Sequence, residues 1–162
     1  DFPDSLSASA VGKPILLVNK TLYDYQKEFL ENSSGEFVII GGTGAVSEDL
    51  EAELAEFGES VRLGGSGRYE TCVMVAEYFF PEGAEAAIVA YSRNFPDGLC
   101  GGPLAYALGA PLILTDNDNP SEADAYVDSI SAGVVVGGMN LISDGTVRTI
   151  FDLAISDPIP VK

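Results

Sequence analysis

Histidine is absent from all 162 residues, and so is tryptophan. Without histidine there is no Ser-His or Cys-His nucleophile pair, and the commonest metal ligand is missing. Cysteine is scarce: Cys72 and Cys100 stand far apart, without the spacing of a metal site. Two readings of that pair stay open. They are either small buried residues in helices or a bridge between neighbouring helices, and the bridge is permitted only outside the cell. Basic residues are few, eight against 25 acids, giving a net charge of −17. Residues 1–60 hold three Lys and twelve acids, and residues 61–162 hold five basic residues and thirteen acids. Such a surface repels phosphate backbones and anionic membranes, which excludes nucleic acid as a general partner. Any anionic ligand must be held by a few placed groups. No apolar run approaches the roughly 18 residues of a membrane-spanning helix. The opening Asp1-Phe2-Pro3-Asp4 has neither the charged nor the apolar region of a secretory leader.

What the chain does have is short apolar runs punctuated by glycine. Phe37-Val38-Ile39-Ile40 leads into Gly41-Gly42-Thr43-Gly44-Ala45-Val46-Ser47, a strand, a glycine turn and a capped helix start. Lys13 to Val18, Val61 to Leu63, Ala86 to Tyr91 and Pro111 to Thr115 are further strand candidates. Apart from Lys13 and Arg62 they are mainly apolar, as strands of a parallel sheet covered on both faces are. Helices are expected between them. One runs from Asp4 to Gly12, and another opens on a capping box at Thr21 and Asp24. Others start at Ser47, run from Arg68 to Phe80, and run from Asn94 to Leu108. Ser121 to Asp124 forms a second capping box, with Tyr126, Val127 and Ile130 inward, and a last helix carries Val147, Ile150 and Phe151. Strands alternating with helices give an α/β fold: a mostly parallel sheet flanked by helices in three layers.

The chain also repeats itself. Gly133-Val134-Val135-Val136-Gly137-Gly138 copies the glycine corner 96 residues on, Phe95-Pro96-Asp97 copies Phe2-Pro3-Asp4 93 residues on, and Pro111-Leu112-Ile113-Leu114 copies Pro14-Ile15-Leu16-Leu17 97 residues on. The four-residue difference falls inside a helix, where four residues make about one turn. Residues 1–60 are expected to be the last two-thirds of one unit, 61–153 a nearly complete second unit, and 154–162 a tail. The chain is thus expected to be a fragment of a longer tandem array. An incomplete first unit exposes apolar faces, which leaves association or segment swapping open.

Three motifs invite chemistry. Gly42 to Ser47 approaches a dinucleotide loop, but its copy replaces Gly44 with Asn140 and Ala45 with Leu141. Asp116-Asn117-Asp118 follows a strand end and could hold a divalent cation, yet the first copy has Val18-Asn19-Lys20 in that region. Arg62 and Arg68 flank a glycine loop before a helix. They could grip an anion, or else Arg68 pairs with an acid such as Glu70 or with a neighbouring carbonyl while lying over the core. The alternative to a binding module is therefore a metal- or nucleotide-dependent phosphotransferase or nuclease using Asp116, Asp118 and the Gly42–Ser47 loop.

Arg62-Leu63-Gly64 leading to Arg68-Tyr69-Glu70-Thr71, then Asn94-Phe95-Pro96-Asp97-Gly98-Leu99, Pro111 to Asp116 and the two Gly-Gly corners resemble, in that order, the cell wall binding repeat type 2 family of Gram-positive surface proteins. The resemblance covers nearly the whole chain. It implies tandem Toprim-like, Rossmann-like units, usually three, that pack against sister repeats. It also implies no catalysis and no cofactor or metal. The implied role is extracellular: anchoring an attached protein to the cell wall through an anionic secondary polymer. Contact with that polymer is implied for Pro14 to Leu17 and for Pro111, Leu112, Ile113 and Leu114. Arg62, Ser66, Arg68 and Arg93 are the polar candidates beside them. Gly67 stands where the family usually has Asp or Asn, which makes Ser66 the expected helix cap. Arg93 stands where an acid or polar residue is common, and Cys72 and Cys100 replace alanines.

Overall fold

The glycine corner forms twice, with the same hydrogen bonds. In the computed structural model, which describes residues 2–33, 35–120, 126, 130, 132–154 and 157–159, β1 (Phe37–Ile40) ends at Gly41 and β5 (Ala132–Val136) at Gly137. Both glycines have positive φ, 119° and 149°, which a side chain would strain. Gly42 O then accepts from the amides of Ala45 and Val46, and Gly138 O from those of Leu141 and Ile142. Ser47 caps α3 (Glu48–Ala55) by accepting from Leu50 N–H at 3.3 Å. Ser143 caps α6 (Asp144–Ile150) by accepting from Thr146 N–H at 3.2 Å. Sequence similarity at the two corners is thus carried into backbone geometry.

The remaining elements are α1 (Phe2–Ser9), α2 (Asp24–Glu31), β2 (Ser60–Leu63), α4 (Arg68–Phe79), β3 (Ala86–Tyr91), α5 (Phe95–Leu108) and β4 (Leu112–Thr115). All strand pairs are parallel. One sheet has the order β1-β2 and the other β4-β3-β5, with Ile88 opposite both Leu112 and Val134. Ala87 to Ala90 and Leu112 to Leu114 are buried, at 0–1% exposure. Around them pack Cys72 and Ala76 of α4, Ala105 of α5, and Leu6 and Ala10 from the first copy. Each buried Leu, Ile or Val contributes about 1.5–3 kcal/mol through removal from water. A second cluster joins Leu22, Leu30, Ile39, Val46, Leu50 and Leu54 around β1.

Gly98 and Gly102 bring α5 onto α1. A Cβ on Gly98 would lie 2.7 Å from Leu6, and one on Gly102 would lie 1.9 Å from Ser9 Oγ. Two glycines weaken a helix by up to about 1 kcal/mol each, and here they permit a close crossing that larger residues would block.

Several expectations are corrected. Lys13 to Val18 is not a buried strand: it has no strand structure, and Ile15 and Leu17 are 45% and 72% exposed. Its copy, β4, is a strand because β3 lies beside it. No described residue pairs with the 14–18 backbone except Gln26, whose Nε2 donates to Leu17 O at 2.8 Å. The first helix runs Phe2–Ser9 rather than to Gly12. Helix α2 is capped from Tyr23, not Thr21, with Gln26 Oε1 accepting from Tyr23 N–H at 2.8 Å. Buried Gln26 fixes that register by bonding both ways. The capping box at Ser121–Asp124 and the inward Val127 lie outside the described residues.

Candidate functional site

Ligand sites in parallel sheets gather at the carboxyl ends of strands, and here β3 and β4 end side by side. Asp116, one residue past β4, is only 2% exposed. Its Oδ2 accepts from Arg93 Nε and Tyr69 O–H, while Oδ1 accepts from Asp118 N–H (2.9 Å), Asn119 N–H (3.0 Å) and Asn119 Nδ2 (2.9 Å). Arg93 Nη2 reaches on to Asp118 at 2.6 Å. Tyr69 O–H also lies 3.0 Å from Ser92 Oγ, and Arg68 Nη1 donates to Ser92 O at 2.9 Å. Asn117 ties the loop to α6, accepting from Ser143 N–H (2.9 Å) and Thr146 O–H (2.7 Å). Burial alone would raise the Asp116 carboxyl. The hydrogen bonds from Arg93, Tyr69, Asn119 and the Asp118 amide outweigh it and hold the group well below the usual carboxylate range.

This arrangement binds one guanidinium rigidly. Arg93 is half-exposed, with its inner edge locked on buried Asp116 and its outer edge on Asp118, which is 77% exposed. The acids singled out as a cation pair therefore already have a cation. At the Gly42–Ser47 loop, the Ala45 and Val46 amides close the turn on Gly42 O.

The other sequence candidates scatter. Arg62 donates through Nε (3.1 Å) and Nη2 (2.7 Å) to Glu51 and through Nη1 (2.7 Å) to Gly41 O, so it fastens α3 to the end of β1. Ser66 is not the cap of α4. Gly67 occupies that place, and Glu70 accepts from both Ser66 N–H (2.7 Å) and Ser66 O–H (2.8 Å). Of its two expected partners, Arg68 takes the carbonyl, that of Ser92, and not Glu70. Pro111 is buried, and Leu112, Ile113 and Leu114 are 0–1% exposed inside the core, where a surface polymer does not reach them. The structure brings Arg68 and Arg93 together around Ser92 and leaves Arg62 and Ser66 apart from them.

Tyr69, Ser92 and Asn119 were not expected at this place. The available signal was positional: Ser92-Arg93 follows one predicted strand and Asp116 follows the next, so the two ends of neighbouring parallel strands had to meet.

The cysteines are free. Cys72 is buried; its Sγ donates to Leu112 O and accepts from Leu114 N–H, both at 3.1 Å. Burial pushes its thiol up to about 11. Cys100 is exposed, contrary to the reading that buried both. A chromogenic disulfide reagent at pH 8 is expected to titrate one thiol quickly, and the second only after denaturation. Rapid reaction of both would contradict the packing of α4 on β4.

Comparison with known proteins extends the picture. Residues 1–51 and 62–147 match the family described as Cell wall binding domain 2 (CWB2). An uncharacterised protein of Pyrococcus horikoshii is 32% identical over 133 residues, covering 78% of this chain and 40% of its own. The N-acetylmuramoyl-L-alanine amidase LytC of Bacillus subtilis is 30% identical over 154 residues, covering 88% of this chain and 30% of its own. Cwp6 from Clostridium difficile superposes with a TM-score of 0.75 at 25% identity, over 84% of this chain and 24% of that one. The chain thus spans less than half the length of these relatives.

Proposed function

Because the chain belongs to the cell wall binding domain 2 family and is a binding module of the cell wall, we propose that it tethers a larger surface protein to the wall non-covalently, through an anionic secondary polymer. The observation that carries this reading is the mounting of Arg93 at the carboxyl ends of β3 and β4. In a chain of net charge −17, long-range attraction cannot collect an anion, so a pre-positioned donor must. Asp116 keeps the guanidinium fixed from below, and the exposed Asp118 is the partner that a polymer phosphate or carboxylate replaces. Arg68, bonded to Ser92 O beside it, supplies a second positive charge. The module works by holding, and the chemistry of its parent protein belongs to other segments.

The purified chain is expected to co-sediment with native Gram-positive walls and to stay in solution after the anionic polymer has been stripped from them. Equal sedimentation with stripped walls would remove the polymer from the proposal. Arg93→Gln should weaken retention roughly tenfold, about 1.4 kcal/mol. Arg62→Gln, which loses an internal fastening, should lower the melting temperature and leave retention unchanged once folded. Retention unaffected by Arg93→Gln would place the contact elsewhere.

A further inference from the structure

Arg93 has more to give than the two bonds it makes inside the protein. Its Nε donates to Asp116 and its Nη2 to Asp118, while Nη1 has no acceptor among the described residues. Arg68 gives Nη1 to Ser92 O at 2.9 Å, and its Nε and Nη2 likewise have no acceptor among them. An anion arriving beside Ser92 therefore meets open donors on two guanidinium groups. It also meets a carboxylate. Asp118 is 77% exposed, but its backbone is fixed: its amide donates to Asp116 Oδ1 at 2.9 Å, and the next amide, that of Asn119, does so at 3.0 Å. An anion that takes Nη1 and Nη2 of Arg93 together deprives Asp118 of its partner, and the carboxylate can retreat by no more than the length of its side chain. Two negative charges then stand well inside the roughly 8 Å over which physiological salt screens them. The chain's other paired cations are engaged elsewhere. Lys27 is on Glu53 and Arg62 on Glu51, each at 2.7 Å, and Arg148 donates to the carbonyls of Ala154 and Asp157. At a net charge of −17, the missing positive charge has to come with the ligand.

We propose, resting on the reading of Arg93 as the anion contact, that the ligand at this place is a zwitterion: a phosphodiester with an ammonium group two or three atoms from the phosphate. Arg93 and Arg68 hold the phosphate, and Asp118 accepts from the ammonium. The internal pair of Arg93 with Asp118 is thereby exchanged for two matching contacts with the ligand, and no carboxylate is left bare. A plain anion would need a separate cation gathered from solution for the same result. An ammonium tied to the phosphate by a short spacer arrives at high effective concentration. A phosphodiester suits the place further, since it accepts from both guanidinium groups and still continues a polymer chain in two directions. Asp116 takes no part in the exchange: it keeps Nε and so keeps the guanidinium where the phosphate finds it. Asp118 is thus a specificity residue, selecting amine-bearing polymers over polymers of negative charge alone.

The test titrates the ¹⁵N-labelled chain with glycerophosphoethanolamine and with its N-acetylated form, which keeps the phosphodiester and loses the ammonium. The Arg93 Nε–H and Asp118 amide signals report binding. Glycerophosphoethanolamine is expected to bind at least tenfold more tightly than the acetylated ester. Asp118→Asn should make the two esters equal, and Arg93→Gln should abolish the response to both. Equal affinities in the original chain would overturn the zwitterion and leave the anion contact at Arg93 standing. A preference that survives Asp118→Asn would also overturn it, by placing the ammonium elsewhere. β-Alanine, whose anion is a carboxylate, should bind more weakly than glycerophosphoethanolamine; equal binding would overturn the phosphate. Silence of the Arg93 signal toward every probe would remove the anion contact itself, and this inference with it.

Discussion

Asp116→Asn is expected to lower stability by about 2–3 kcal/mol at pH 7, because an amide cannot accept from every donor now aimed at the carboxylate. Six donors converge on Asp116, three on Oδ1 and three on Oδ2, with the Ser92 hydroxyl the farthest at 3.4 Å. Asparagine keeps one oxygen and turns an NH2 toward either Arg93 and Tyr69 or the Asp118 and Asn119 amides, donor against donor. The exposure of Arg93 keeps the loss below that of a fully buried pair. For a chain of this size the change corresponds to a fall in melting temperature of about 5–10 °C. Its pH dependence has a definite sign. The folded carboxyl is held below its unfolded value of about 3.9, so its contribution is complete above that value and is lost as pH falls beneath it. The gap between wild type and variant should therefore be full at pH 7 and shrink below about pH 4. Thermal melts of both proteins at pH 7 and pH 3 measure it. A gap of equal size at both values would show that the carboxylate's charge is not what the cluster uses.

Gly64→Ala should cost about 3 kcal/mol, at the upper end of overpacking penalties. A Cβ there would lie 2.5 Å from Gly41 C and O and 2.6 Å from Gly42 N, all backbone. Side chains can swing aside; a glycine corner cannot. The strand β2 must draw away from β1, which strains the bond from Gly41 N–H to Leu63 O at 2.8 Å and the grip of Arg62 on Gly41 O. Gly44→Ala is the matched control, with nothing within 4 Å of its Cβ and an expected change within about 0.5 kcal/mol. Denaturant midpoints of the two variants give the comparison directly. Comparable midpoints would mean that the close approach at Gly64 is relieved more cheaply than its backbone neighbours allow.

Local signals in the sequence translated well where the structure they specify is itself local. The caps at Ser47 and Asn94 work within a few residues of their own positions, and the repeated corner closes on its own carbonyl. Pro14–Val18 is as apolar as Pro111–Leu114, yet only the second copy builds a strand. A strand exists through its neighbour, and composition does not say whether a neighbour is there. Thr21 looked like a cap because its spacing to Asp24 is right; a buried Gln26, bonded to Tyr23 and Leu17, shifted the start. The Arg93–Asp116 pair was hidden differently. Each residue was noticed for its own chemistry, but 23 residues separate them in sequence, and only the pairing of β3 with β4 makes them neighbours.

The pairing of β2 with β1 means that the boundary expected between residues 60 and 61 is not a boundary in space. Strand β2 opens the second copy but completes the sheet of the first. Leu6 and Ala10 of the first copy, in turn, sit in the core of the second. Each copy thus holds a piece of the other, like clasped hands. A protease cut in the Phe57–Glu59 turn would break the covalent thread and leave the halves fastened. Tension applied between the two ends of the chain would accordingly be shared across the joint, where beads on a flexible string would be extracted one by one.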